Sequence, residues 1–233
     1  MLRLTRQQVR ETDRRSIEEY HIPGIVLMEN AAWAAVDVAC DMLDDNCVGE
    51  VLILCGGGNN GGDGLAVARL LHNRGADVSL ALTIDPAQYK GDALINWQIV
   101  SAMQIPWEPA NPQKIAGTPA LLIVDAIFGT GLSDQPRDPF PAIATAVEQS
   151  GVPVLAIDLP SGMDCDTGKP LGACIRATRT ITFVAEKVGF AEPGARAYTG
   201  DVTVGSIGCP AELIESVANG QARQNCGCSQ RDA

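Results

Sequence analysis

A chain of 233 residues, 46% hydrophobic and 19% charged, has the makeup of one sizeable globular domain and excludes a disordered or collagen-like polymer. Folding at this length hides roughly 70–75% of the surface the unfolded chain exposes, so neither disulfides nor a structural metal is required for stability. The net charge of -11, from 28 acidic against 17 basic residues, excludes a broad positive field, so neither nucleic acid nor membrane is an expected partner.

The N-terminal stretch MLRLTRQQVRETDRR is charged from its third residue and has no apolar h-region. No later run reaches about 18 uninterrupted apolar residues, and a cytoplasmic protein is expected. Thr5 opens the first helix: it stands three residues before Gln8 as a capping box, with Leu4 and Val9 as a hydrophobic staple, and the helix should end near Tyr20. After Ile22-Pro23-Gly24, Val26 to Leu43 is a second helix rich in small residues, Ala31, Ala32, Ala34, Ala35 and Ala39, which permit close approach of another backbone. Glu29 and Asn30 on that helix are read as a satisfied buried pair or a subunit contact.

From Val51 onward, short β-branched and leucine-rich runs alternate with helical segments, the pattern of an α/β protein. The predicted strands are Val51–Cys55, Val78–Thr83, Leu121–Asp125, Val154–Asp158, Thr180–Val184 and Val202–Ile207, with a weaker one at Ile105–Trp107. Helices are predicted at Leu65–Asn73, Lys90–Met103 and Phe140–Ser150. This order predicts a three-layer α/β/α sandwich: a Rossmann-like, mainly parallel sheet preceded by N-terminal helices. Residues 1–217 are taken as this domain and 218–233, polar and poor in large apolar residues, as a disordered tail. Of the eight cysteines, Cys226 and Cys228 stand at C-x-C spacing within the tail, and the set is read as reduced thiols rather than a metal site. His21 and His72 are too far apart in sequence to suggest a zinc centre.

In an open parallel sheet the ligand site lies at the carboxyl ends of the strands. After Val51–Cys55 comes GGGNNGGDG, read as a loop whose glycines bring backbone N–H groups close to a phosphate ahead of a helix N-terminus. Gly56, Gly58 and Gly61 match G-x-G-x-x-G, a weak signal alone, and no Lys-Ser or Lys-Thr follows as in nucleotide triphosphatases. Asn59, Asn60 and Asp63 add side-chain oxygens suited to hydroxyls or a cation. Two further strand ends, VDAIFGTGLSDQ and AIDLPSGMDCDTG, place Asp125, Asp158 and Ser161 at the same edge. Each aspartate alone can also be a strand-ending turn residue. The oxygens of Asn60, Asp125 and Ser161 suit a hard monovalent or divalent cation better than zinc.

The segments VRETDRRSIEEYHIPGIVLMENAA, CGGGNNGGDGLAVARLL, VDAIFGTGL, AIDLPSGMDCDTG, TITFVAEKVGF and GDVTVGSIGCP, in this order from about Thr5 to Pro210, resemble the YjeF N-terminal domain family, the NAD(P)HX epimerases. That family interconverts the R and S epimers of hydrated NADH and NADPH (NADHX, NADPHX), damaged cofactors with a hydroxyl at C6 of the nicotinamide ring. A partner dehydratase then restores the S form. The resemblance implies that Asn59, Asn60, Gly61, Gly62 and Asp63 contact the dinucleotide. It implies that Gly129, Thr130, Gly131, Leu132, Ser133, Asp134 and Gln135 hold its phosphates, and that Asp158 meets the nicotinamide. Asn60, Asp125 and Ser161 would bind potassium (K+).

On this basis Asp158 is expected to be the catalytic group, assisting loss and return of the C6 hydroxyl, or a related proton transfer, through a planar ring cation. Lys187 can pair with a phosphate, tune an aspartate, or stand exposed after a strand. A stand-alone epimerase is expected, working with a separate dehydratase and forming a homodimer through the small residues of the N-terminal helices. The competing readings are a non-catalytic scaffold of the same fold and an NAD-dependent dehydrogenase, in which Asp77 or Asp85 would bind ribose.

Overall fold

The computed structural model describes residues 2–43 and 47–220. The chain opens with β1 (Arg3–Leu4), α1 (Arg6–Glu18) and α2 (Gly24–Met42), then alternates through β2 (Glu50–Cys55), α3 (Asn59–Asn73), β3 (Asp77–Leu82), α4 (Gly91–Ala102) and β4 (Trp107–Pro109). It continues with α5 (Pro112–Ala116), β5 (Leu122–Ala126), α6 (Phe140–Ser150), β6 (Val154–Ile157), β7 (Arg179–Phe183), β8 (Glu186–Lys187), α7 (Arg196–Thr199), β9 (Asp201–Gly205) and α8 (Ala211–Ala218).

Seven strands form one wholly parallel sheet in the order β4-β3-β2-β5-β6-β7-β9. Apolar runs such as the fully buried β5 are what a strand covered on both faces requires. One core cluster packs α2, α3 and α4 on one face, through residues such as Ala35, Leu65 and Val100. The other packs α5 and α6 on the opposite face, through Ile115, Ile143 and Val147. The predicted three-layer α/β/α sandwich is therefore the fold. Successive strands run outward from β2 in one direction and from β5 in the other, so the loops after these two neighbours diverge and leave a crevice at the strands' carboxyl ends. Thr5 caps α1 with the expected capping box.

Four local features differ from the sequence expectations. Helix α3 begins at Asn59, inside the glycine run, rather than at Leu65. A Cβ on Gly64 would stand 2.5 Å from Ala126 Cβ and 3.0 Å from Cys55 Sγ, so this glycine serves close packing of α3 on the sheet and not ligand approach. The small residues Ala31, Ala32, Ala35 and Ala39 are buried in the chain's own core, so the stripe expected to face a second copy is already used. Cys40 and Cys47 form a disulfide, their Cα atoms 4.4 Å apart beside the C-terminal end of α2, where all the cysteines had been expected to be reduced. Cys55, Cys165, Cys174 and Cys209 are free. Finally, β1 pairs with β8 in a separate two-stranded parallel sheet that the sequence did not announce.

Among the described residues no helix is long and apolar enough to cross a membrane. Of the tail expected at 218–233, Ala218 is instead the last residue of α8, whose helix outlasts the predicted boundary, and the remainder beyond Gly220, with Cys226 and Cys228, lies outside the described residues.

Candidate active site

The crevice at the switch point opens into a cavity of about 580 Å³, walled by α1, the start of α3, and the loops that follow β5, β6 and β7. Its polar lining centres on Asp13, Asn60, Asp63, Asp158 and Lys187.

Asp158 follows β6 directly and sits at φ +68°, left-handed backbone that an aspartate tolerates only where its surroundings hold it. Its N–H donates to Ile181 O at 2.8 Å, which anchors that turn to β7. Both carboxylate oxygens are engaged: Oδ1 lies 2.8 Å from Lys187 Nζ, and Oδ2 accepts the Thr130 N–H at 3.0 Å. Lys187 is 0% exposed and also donates to Phe183 O at 3.2 Å. It is not the exposed lysine that one reading allowed. Pairing of Lys187 with Leu4 in β1 fixes the short strand that carries it. Just before β8, Val184 has φ +69°, a β-branched residue in a costly conformation, and it too lines the cavity.

Asp13 and Asp63 lack such partners, and Asp92 of α4 also lines the cavity. Asp13 projects from α1 and Asp63 from α3, and among the described residues no hydrogen bond reaches either side chain. Burial, then the neighbouring Asp158 charge, push Asp13 up to about 6, with Lys187 working in the opposite direction. Burial raises Asp63 well above the usual carboxylate range, and Asp158 and Asp13 add to the effect. Arg10 on α1 reaches the carbonyls of Thr130 and Gly131 at 3.4 Å each, which holds the helix across the cavity mouth.

Asp125 ends β5, fully buried, and Ser161 follows β6. Asp125 Oδ1 accepts the Ser161 hydroxyl at 2.6 Å and Oδ2 the Ser161 N–H at 2.8 Å. Ser161 Oγ in turn accepts the Phe128 N–H at 2.8 Å, so the two loops are tied together. Burial pushes Asp125 up to about 6 despite these bonds. Asn60, in the first turn of α3, is buried with neither its Oδ1 nor its Nδ2 satisfied. A Cβ on Gly129 would lie 3.0 Å from Asp158 Oδ2 and 3.2 Å from Asn60 Oδ1, so only glycine lets these two side chains converge there. The orphaned Asn60 carbonyl and the oxygens of the buried Asp125–Ser161 pair are donors of the kind that suits a hard cation such as potassium.

Of the residues expected at the site, Asn59, Asn60, Asp63, Gly129, Thr130, Gly131, Leu132 and Asp158 line this cavity. Ser133, Asp134 and Gln135 line a neighbouring hollow of about 510 Å³ that shares Gly57, Phe128 and Gly131 with it. Gly61 and Gly62 do not face the cavity but are packed: a Cβ on Gly61 would lie 1.9 Å from Gly56 O, and one on Gly62 2.8 Å from Met28 Cε. Asp125 and Ser161 are fully buried and outside its lining. Asp13 was missed by sequence reasoning, although a signal existed. It follows the buried Val9 by four residues and precedes the buried Ser16 by three, which puts a carboxyl on the inward face of an amphipathic helix. Glu29 and Asn30 are satisfied as expected, by an ion pair to Arg69 and by donation to Ile207 O at 2.9 Å.

Comparison with known proteins bears on the same region. The family described as YjeF-related protein N-terminus matches residues 24–189. A relative from Rhodopirellula baltica, named NAD(P)H-hydrate epimerase, is 38% identical over 215 residues, which cover 91% of this chain and 86% of the relative. One from Pirellula staleyi with the same name is 37% identical, over 91% of this chain and 95% of the relative. A protein from Moorella thermoacetica named bifunctional NAD(P)H-hydrate repair enzyme is 40% identical over 92% of this chain but only 42% of its own length. Among solved structures, a yeast protein, ynu0, superposes with a TM-score of 0.79 over 93% of both chains at 20% identity, a likeness of fold. With a profile match across most of the chain and near-full-length relatives above 30% identity, the chain belongs to the YjeF-related N-terminal domain family.

Proposed function

We propose that this protein is an NAD(P)H-hydrate epimerase, an isomerase that interconverts the R and S forms of NADHX and NADPHX in nicotinamide cofactor repair. The observation that carries this reading is the near-full-length identity to relatives of that name, in a chain whose switch-point cavity is lined by converging carboxyl and amide groups. Inversion at C6 needs no redox change. Loss of the hydroxyl leaves a planar C6=N1 cation that water can re-enter from either face.

Asp158 is the group for that cation. Held by Lys187 and the Thr130 N–H, its carboxylate presents a fixed negative charge and needs no reorganisation as positive charge develops. The diphosphate is placed at the N-terminus of α3, where first-turn N–H groups lack intrahelical partners, and against the turn at Gly129 to Leu132. Asn59 and Asp63 complete the contacts there. The adjoining hollow, with Ser133, Asp134 and Gln135, takes the remaining half of the dinucleotide. Asn60, Asp125 and Ser161 would hold potassium, which when bound supplies positive charge beside a buried carboxyl and near the phosphates.

A separate dehydratase is the natural consumer of the S epimer, and the bifunctional relatives are consistent with such coupling. We further propose a homodimer. Its contact is the exposed face of α2 with Val26 and Trp33, beside the edge strand β9, since the alanines of α2 are buried within the chain.

The test is chromatographic: purified R-NADHX in potassium buffer, with and without the protein. Acceleration of S-NADHX formation is expected, accompanied in oxygen-18 water by label at C6. Absence of acceleration with both R-NADHX and R-NADPHX would overturn the reading and favour a scaffold role.

A further inference from the structure

Asp158 and its lysine leave one chemical need unmet, because hydroxide is a poor leaving group and must receive a proton as it departs. Asp158 cannot readily supply it: one oxygen is tied to an ammonium and the other accepts a backbone N–H. Besides Asp158 the cavity is lined by three further carboxyls, Asp13, Asp63 and Asp92, none of them with a side-chain hydrogen bond among the described residues; of these, Asp13 and Asp63 are the two on which burial and the neighbouring Asp158 charge act. Four carboxyls, Asp13, Asp63, Asp92 and Asp158, against two cations, Lys187 and Arg10, leave an excess of negative charge in a partly desolvated space. Burial and the neighbouring carboxylate therefore push Asp13 and Asp63 above the usual carboxylate range, whereas Asp158 is ion-paired with Lys187.

Resting on the epimerase reading, we propose that Asp13 is a second catalytic residue, the proton carrier that protonates the departing C6 hydroxyl and takes the proton back from the returning water. The C6–O bond breaks with its electron pair going to oxygen, which takes the Asp13 proton and leaves as water. The N1 lone pair forms the C6=N1 bond, so the ring gains one positive charge and Asp13 one negative charge. In the return step a water lone pair bonds to C6 on either face, the C6=N1 pair goes back to nitrogen, and the surplus proton of the water goes to Asp13. The sequence balances without oxidant, reductant or co-reactant.

Asp13 suits this role better than Asp63 because a carrier must both give and take a proton near the working pH. Asp13 stands within the influence of both members of the Asp158–Lys187 pair, whereas the charges acting on Asp63 are carboxylates alone, and Asp13 is pushed up only to about 6.

The test is steady-state kinetics of R-NADHX epimerisation by the full chain in potassium buffer, for wild type, Asp13→Asn and Asp13→Ala, the last with and without added formate. Asp13→Asn should lower kcat by roughly 10²–10⁴-fold with little change in KM, as loss of a general acid does. Its circular dichroism should match wild type. Asp13→Ala should be comparably slow and regain rate in proportion to formate, which replaces the missing carboxyl; a merely structural role would show no such rescue. Wild-type turnover with kcat retained in Asp13→Asn, or with no formate rescue of Asp13→Ala, would overturn the assignment and leave the epimerase reading standing. A wild-type protein inert toward both hydrated cofactors would overturn both.

Discussion

Asp13 and Asp158 bring the same functional group to one cavity in opposite electrostatic settings. Asp158 has an ammonium and a backbone donor, whereas Asp13 has burial and a like charge. The groups that act on Asp13 are Asp158 and Lys187, with Asp63 coupled to it and Arg10 one turn away on α1. This difference is measurable as stability. Asp13 is pushed up to about 6 in the fold, against about 3.9 in an unfolded chain, so between those values the native state holds the extra proton. Its contribution is fully present below pH 4 and is lost as pH rises through 6, because stability falls with pH wherever the native state binds more protons. Two pH units at about 1.36 kcal/mol each bound the effect near 3 kcal/mol. Asp13→Asn should therefore unfold at the same denaturant concentration as wild type near pH 4 and at a higher one above pH 6.5. Parallel pH profiles for the two proteins would show that Asp13 is not buried and charged in the way described.

At the scale of elements, α3 decides how the site is built. Its glycines divide by what a methyl group would meet. At Gly64 a Cβ would collide with Ala126 and Cys55, whereas at Gly58, the N-cap of α3 on the cavity wall, it would meet nothing within 4 Å. Overpacking costs about 1–3 kcal/mol, more than the roughly 1 kcal/mol alanine gains over glycine inside a helix, so Gly64→Ala should lower the urea midpoint. Gly58→Ala should leave that midpoint within about 0.5 kcal/mol and raise KM several-fold, since the added methyl group stands where the ligand meets the helix N-terminus. If Gly58→Ala changes stability and Gly64→Ala changes only KM, the division is reversed.

The same helix shows where sequence reasoning works and where it stops. Strands β2, β5 and β6 were legible because apolar runs ended at Cys55, Asp125 and just before Asp158, and a parallel sheet puts strand ends at the ligand. The start of α3 was not legible. Glycine disfavours helix locally, and only tertiary contact makes these the residues that fit: Gly61 against the Gly56 backbone, Gly62 against Met28 of α2 and Ala93 of α4, and Gly64 against β2 and β5. Lys187 escaped for a related reason: its burial depends on pairing with Leu4, more than 180 residues away, in strands too short to carry a periodic pattern. The disulfide between Cys40 and Cys47 likewise depends on how the chain leaves α2, which spacing alone does not fix.

For the whole molecule, the proposed dimer predicts a light-scattering mass of twice 24.5 kDa for wild type. Trp33→Asp should give the single-chain value, because it places a charge on an exposed aromatic that the fold itself does not bury. A wild-type monomer would remove the proposal. The proposed potassium site would act at the same scale, since its residues come from the ends of neighbouring strands and the start of α3. The Asp125–Ser161 bonds join β5 to the loop after β6, and Asn60 in α3 is buried with its side-chain oxygen unpartnered. A cation bound there holds three elements of one cooperative unit in the native state and none in the unfolded chain. At ten times its dissociation constant it would add about 1.4 kcal/mol by mass action, or some 3–6 °C in melting temperature for a chain of this size. Melting in potassium chloride should thus exceed melting in tetramethylammonium chloride at equal ionic strength. Ser161→Ala, which removes one donor and loosens Asp125, should abolish the difference. Equal melting of wild type in both salts would dismiss the site whatever the activity measurements gave, because this readout does not involve turnover.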